Sequence, residues 1–548
     1  MKYRKINIMV LAILGIVMTS CDEDFLETKP TDAISASDAL ANEENMQLVL
    51  NGLHRGLYSQ SQTIFPGGAS ERANNHFWVP MGDNISGDLI HSANANNLGW
   101  RDVMQWNEHT IPTSFTSEIL WYHRYNIIAG ANLLINKGTD GSLVDSPMLN
   151  EILGQAYTYR AYAYLSLVQH YAKGYLIGNP SSDPGVPLLF SSESPFTSAP
   201  RSTVQEIYDQ IQSDLNSAIA AFENGTGRPN GGPEVKSQLS IDVAYGLLAR
   251  TALSKGDWQT AADAAIMARQ NFPLMNEDDW LSGFNTNNLS EVIWGSNVLP
   301  AETTFFRSYF YLASNTFNGS QIRNNPKIAD RRLVDAIPDS DYRKKVFIID
   351  APNTNSSAAN GQGGFGNDPN YTDQDAFNAR RAEINAAYGI NTTYNLHPYM
   401  HFKLKNAIPA DIAPDDVIYM RTSEMYLIEA EAKAMMNDIP GAQEALRPLG
   451  EERDSAYDVT IFNTQESMME HIKFQRRLEL WGEGFGYTDH IRWDEGIDHA
   501  ANGGSGASAV LYQGAFQVER PSLNDDWIFK IPQSEIDANP NLTPADQN

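Results

Sequence analysis

Glu479 and Glu483 stand four residues apart in the stretch FQRRLELWGEGFGYTDHIRW, a spacing that can put two carboxylates on one helix face. Paired carboxylates perform glycoside hydrolysis when they flank the scissile bond, about 5 to 9.5 Å apart across an open cleft. Here Arg476, Arg477 and Arg492 crowd the same stretch, so the pair is expected in a structural ion-pair network instead. His397 and His401 in HPYMH have a spacing that metal ligands use, but Pro398 lies between them and no carboxylate partner is near in sequence, which favours a structural role. The run Asp368 to Asp375, DPNYTDQD, has the acidic rhythm of a calcium loop. Asp373 occupies the place of the turn glycine and Ala379 that of the bidentate glutamate, so it reads as a solvated loop. The glycines of GQGGFGNDPN lack the preceding strand and following helix of a nucleotide fingerprint. No nucleophile elbow or convincing triad is visible. The expectation is no catalytic residue, no metal site and no cofactor.

Binding is the chemistry that remains. Sugars present apolar C–H faces and many hydroxyls, which flat aromatic rings and planar amides or carboxylates recognise. Two regions combine these groups, residues 74–106 and 305–318, and within them Trp78, Asn96, Asn97, Trp100, Tyr309 and Tyr311 are the candidate ligand contacts. Residues 72–110, dense in Asn, Gly, Asp, His and Trp, read as a long ordered loop.

The elements that position these residues are helical. In VAYGLLARTALSKGDWQTAADAAIMARQNFP, Leu248, Ala249, Ala252, Gly256, Trp258, Ala261, Ala265, Ala268 and Pro273 follow the spacing of a tetratricopeptide unit, with Gly256 and Asp257 at the turn. A poorer copy, RTSEMYLIEAEAKAMMNDIPGAQEALRPL, places Pro440 and Gly441 at or near its turn and Pro448 at its end. Leu120, Tyr125, Ile128 and Leu133 mark a helix upstream. Further helices are expected from Glu151 to Ala172 and from Thr203 to Phe222, the latter with Ile207, Ile211, Leu215 and Ile219 recurring every fourth position. EVIWGSNV, Glu291 to Val298, alternates like a short strand. The fold class is therefore mainly α: a tetratricopeptide-like scaffold of about four helical hairpins, with long irregular loops and minor β.

The chain begins with a positive head, Lys2, Arg4 and Lys5, followed by an apolar run from Ile6 to Val17 and then Thr19, Ser20 and Cys21, the only cysteine in 548 residues. The run is too short to cross a bilayer that needs about 20 apolar residues, and its layout is that of a secretion signal ending at a lipidated cysteine. Several acyl chains on Cys21 would hold the protein stably on a membrane, where one would not. The full sequence carries 39 basic and 67 acidic residues, net −28. Without residues 1–20, which hold three of the cations and no anion, 36 face 67 and the balance is −31. Such a charge argues against nucleic acid as a partner. With its one cysteine at the lipidation site, the chain has no disulfide framework.

The start CDEDFLETKP, the segment GVPLLF, and three blocks in order, RTSEMYLIEAEA, FQRRLELWGEGFGYTDHIRW and IFKIPQSEIDANPNL, resemble the SusD/RagB family across essentially the whole mature chain. In the middle block the resemblance rests on Arg476, Arg477, Glu479, Leu480, Glu483, Gly484, Asp489, Arg492 and Trp493. It implies a lipoprotein of the outer membrane, anchored at Cys21 and facing the cell exterior. Such a protein binds oligosaccharide without cleaving it and acts as a lid on a SusC-like TonB-dependent transporter. The implied organisation is 1–20 signal peptide, 21–41 lipidated tether, 42–230 N-terminal helical region with the aromatic loop, and 231–548 C-terminal region with repeats and ligand loops. Two alternatives stand beside it, a tetratricopeptide-type adaptor and a surface-anchored glycoside hydrolase.

Overall fold

Gly256 closes the helix Ile241–Lys255 in the left-handed conformation, φ 74°, which costs glycine little. Asp257 then opens Trp258–Arg269 by accepting from the Thr260 N–H. The two helices pack through buried Ala244, Ala249 and Ala252 on one side and Ala261, Ala265 and Ala268 on the other. Side chains this small let the backbones approach closely. The same logic repeats along the chain. Glu43–Gly56 pairs with Phe115–Thr139, Pro147–Tyr171 with Val204–Glu223, and Thr422–Met435 with Ile439–Arg453, which gives the expected four hairpins. Each hairpin stacks on the next, and Gln465–Glu479 covers the last. Caps define the starts: Ser146 accepts from the Leu149 N–H, and Thr203 forms a capping box with Glu206.

The computed structural model describes residues 40–60, 63–65, 68–69, 74–91, 100–191, 198–229, 231–319, 323–354, 363–499, 518–520 and 525–548. The leader, Cys21, most of the tether, Asn96 and Asn97 lie outside them. Among the described residues no helix is long and apolar enough to cross a membrane.

Residues 270–421, between the third and fourth hairpins, build the second part of the molecule. Four short antiparallel strands lie in the order Leu89–His91, Lys327–Ala329, Met400–His401, Phe347–Ile348. Val292–Ser296, within the stretch expected to form a strand, pairs with Val417–Arg421. Every one of its residues is buried rather than alternate ones, with the turn Pro233–Ser237 and the helix Ile241–Lys255 packed against it.

Two local expectations change. Residues 72–110 are not one loop. They contain the helix Asn75–Ser86, the strand Leu89–His91 and the short helix Trp100–Met104. Asn74 caps the first of these by accepting from the His76 N–H, and Gly87, φ 87°, ends it. Its polar residues are buried, Asn75 against Tyr162 and Arg124, His76 against Tyr309 and Asp83 against the C-terminal block, so the apolar periodicity that marks a surface helix is missing. Pro448 does not end its helix either; Ile439–Arg453 continues past it. The lost backbone bond is offset by burial of Leu446 and Leu449 and by the ion pairs that hold Arg453 at the last turn.

Candidate functional site

The Glu479 and Glu483 carboxylates are buried and fully engaged. Glu479 accepts from Arg343 Nη1 at 2.9 Å, Arg421 Nη1 at 2.8 Å, Arg453 Nε at 3.2 Å and Trp280 Nε1 at 3.2 Å. Glu483 accepts from Lys403 Nζ at 2.7 Å and from Arg421 Nε at 2.7 Å. Glu291 and Asp341 complete a set in which four carboxylates meet four cations, Arg343, Lys403, Arg421 and Arg453. Burial would raise the Glu479 pKa, but Arg453, Arg421 and Arg343 outweigh it and hold the group well below the ordinary carboxylate range. For Glu483 burial is likewise outweighed, by Arg421 and Lys403. Locked as anions, neither can serve as the proton donor that glycoside cleavage requires.

The network was expected, but its arginines differ. Arg476 pairs with Asp489 at 2.6 Å, Arg477 with Asp88 at 2.5 Å and Arg492 with Glu431 and Asp489. These three fasten the block outward, while the cations that hold Glu479 and Glu483, namely Arg343, Lys403, Arg421 and Arg453, come from positions 26 to 136 residues away in the chain. The rest of the block is also spent on packing. Trp481 Nε1 donates to the Asp88 carbonyl at 2.7 Å, and the Gly484 and Gly486 N–H groups donate to the Asp83 carboxylate at 2.9 Å each. Gly484 has φ 91°, and a Cβ there would stand 2.3 Å from the Val79 carbonyl oxygen. This motif locks the helix Asn75–Ser86 onto the C-terminal region.

The histidine pair is spent as well. His397 Nδ1 donates to the Pro398 carbonyl at 2.7 Å and His401 Nε2 to that of Ala313 at 2.8 Å. Burial pushes the His401 pKa down to about 3. Asp368 accepts from the backbone N–H groups of Asn353 and Asn370, and Asp373 caps the helix Gln374–Ala387. Two of the three acids of the calcium-like run thus do backbone work.

The two stretches singled out for sugar contact do meet. The helix Tyr309–Ala313 packs on Asn75–Ser86, and the Tyr309 N–H donates to His76 Nδ1 at 2.9 Å. Tyr309 and Tyr311 are each 3 % exposed, and the Tyr309 hydroxyl donates to the Gly482 carbonyl. Their rings pack inward and present no open face. Trp78, also buried, lines a cavity that is partly open to solvent. Trp100 begins the helix Trp100–Met104.

The open aromatic surface at this junction belongs to residues 299–307. Gln60 grips this loop: its Oε1 accepts from Thr303 Oγ1 at 2.6 Å and from the Thr304 N–H at 2.8 Å, and its Nε2 donates to the Phe306 carbonyl at 2.7 Å. Ser59 Oγ donates to the Glu302 carbonyl, and Tyr58 and Arg55 engage the Glu302 carboxylate. Burial, with Glu302 beside it, pushes the Tyr58 pKa up. So held, the loop presents Phe305, 45 % exposed, while Phe306 leans on Tyr311 with ring centroids 5.4 Å apart. An open ring on a fastened loop, flanked by hydroxyls and amides, suits a sugar face. Phe305 lies inside the stretch singled out in the sequence, where the pair Phe305–Phe306 was its signal; Gln60 had none.

Two family models match the chain, one described as SusD family over residues 284–548 and one as starch-binding associating with outer membrane over 24–253. A SusD-like protein of Formosa agariphila is 24% identical over 520 residues, covering 91% of this chain and 93% of that one. Among solved structures, a SusD-like carbohydrate binding protein from Bacteroides vulgatus superposes with a TM-score of 0.69 at 22% identity, covering 92% of this chain and 98% of its own. Surface glycan-binding protein A from Bacteroides thetaiotaomicron, solved with laminarihexaose, gives 0.62 at 16% identity, with 91% and 98% covered.

Proposed function

The chain belongs to the SusD/RagB family, and from that membership we propose that it is a cell-surface lipoprotein that binds oligosaccharide without cleaving it and delivers it to a SusC-like TonB-dependent transporter. The observation that carries the ligand reading is the loop 299–307, pinned by Tyr58, Ser59 and Gln60 so that Phe305 stands open to solvent. Preorganised rings bind with less ordering cost than mobile ones. Asn96, Asn97 and Trp100 are proposed to add amide and aromatic contacts, and Trp78, Tyr309 and Tyr311 to support the site from below.

The non-catalytic part of the reading is supported by the engagement of Glu479 and Glu483. Outer-membrane association is supported by the description of the matching N-terminal family model and anchoring by the signal-like leader ending at Cys21. The stacked hairpins would face the transporter, since such scaffolds offer broad surfaces for protein contact. A glycan array followed by calorimetry on the purified mature protein tests the proposal. Binding to at least one oligosaccharide without product formation is expected; cleavage of the bound glycan would overturn it.

A further inference from the structure

A cavity of about 150 Å³ lies where the helices Asn75–Ser86, Phe115–Thr139, Pro147–Tyr171 and Ile241–Lys255 meet the turn into Gly486–Trp493. Four guanidinium groups belong to its wall, those of Arg124, Arg250, Arg476 and Arg492. Three have carboxylate partners: Arg250 holds Glu424 at 2.7 Å, Arg476 holds Asp489 at 2.6 Å, and Arg492 holds Glu431 and Asp489.

Arg124 has none among the described residues. It is 3 % exposed, and its three hydrogen bonds all go to neutral acceptors: Ser166 Oγ at 2.9 Å, His123 Nδ1 at 2.7 Å and Asn75 Oδ1 at 3.0 Å. The His123 ring is neutral by geometry, since Nδ1 accepts from the guanidinium while Nε2 donates to the Gly56 carbonyl at 3.0 Å. The two wall carboxylates are already claimed, Glu483 by Arg421 and Lys403, and Asp489 by Arg476 and Arg492. Two further donors on wall residues, Trp78 Nε1 and Arg476 Nη1, are buried with no hydrogen-bond partner.

A buried charge without a counter-charge is costly, and water can satisfy spare donors but not the charge itself. We propose that this cavity binds a small monoanion, a halide or a carboxylate, with Arg124 supplying the charge and Trp78 and Arg476 further donors. A monoanion balances the single unpaired guanidinium. It also gives Trp78 a function that is separate from stacking on a sugar.

Crystals of the purified protein soaked in sodium bromide test this directly. An anomalous peak in the cavity beside the Arg124 guanidinium is expected, and a cavity holding water alone would overturn the proposal. In solution, unfolding is followed against bromide, formate, glucuronate and, as a dianion control, sulfate. Above its dissociation constant, each tenfold rise in a bound anion raises the folded-to-unfolded ratio about tenfold. This dependence is expected for bromide or a carboxylate in the wild type and is lost in Arg124→Met; the same dependence in both proteins would contradict it. Should Arg124→Met fail to fold, Trp78→Phe, which keeps a ring but removes the donor, is expected to weaken bromide binding, and unchanged affinity would count against the site. A response to formate but not glucuronate identifies a free ion, and a stronger response to glucuronate identifies the carboxylate of an acidic sugar.

Discussion

Replacing Glu479 by Gln separates a structural carboxylate from a catalytic one. In the wild type four carboxylates balance four cations around this point, and Glu479 contacts Arg343, Arg421 and Arg453. Glutamine keeps the shape but leaves one positive charge unbalanced, and its amide must turn two hydrogens toward a wall of donors. Removing one partner of a buried ion pair costs about 3 to 5 kcal/mol, a large share of a typical total of about 5 to 15 kcal/mol. The assay is urea unfolding followed by tryptophan fluorescence. Glu470→Gln on the same helix is the control, because Glu470 pairs with Lys473 at the surface with its side chain 68% exposed and should cost no more than about 1 kcal/mol. Equal stabilities for Glu479→Gln and the wild type would refute the network argument. So would a wild-type glycosidase activity that disappears in a Gln variant of unchanged stability.

Other outcomes follow from the same structure. Gly484→Ala places a side chain on a left-handed backbone and 2.3 Å from the Val79 carbonyl oxygen, so urea unfolding should show a loss of at least about 1 to 2 kcal/mol; a neutral effect would mean the two segments are not held so close. Desolvation lowers the pKa values of part-buried His54, His170 and His471 to about 4 and of fully buried His76, His109, His123 and His401 to about 3. Since the unfolded chain takes up these protons near pH 6.5, their contribution is complete above that pH and is lost as pH falls toward 3 to 4, at about 1.4 kcal/mol per pH unit for each histidine. Thermal unfolding from pH 8 to pH 5 should therefore be flat and then fall steeply, and a curve still flat at pH 5 would contradict the buried neutral rings. Mass spectrometry of the native N-terminus should find acylated Cys21, and a free thiol there would remove the anchor.

The hairpins were legible because their signals are local. Alanines at helical spacing, a Gly256–Asp257 turn and the Thr203 cap each act within a few residues. The ionic network was legible only in kind. Glu479 and Glu483 announced it, but Arg343 lies 136 positions from Glu479 and Arg421 lies 58, and nothing in the local pattern selects them over Arg476 or Arg477. The same limit applies to the candidate site. Tyr309 and Tyr311 have the right chemistry for a sugar, yet burial is decided by the contact of their helix with Asn75–Ser86, more than 200 residues earlier in the chain. Phe305, four positions away from Tyr309, stays open because Gln60 holds its loop at the surface.

Calorimetric titration of the mature protein with the best glycan from an array, run beside Phe305→Ala, tests the central claim most directly. The account predicts saturable binding by the wild type, no change in the glycan on recovery, and at least about tenfold weaker binding by Phe305→Ala, or about 1.4 kcal/mol, at unchanged thermal stability. Unaltered affinity in Phe305→Ala, or a glycan recovered in pieces, would contradict it.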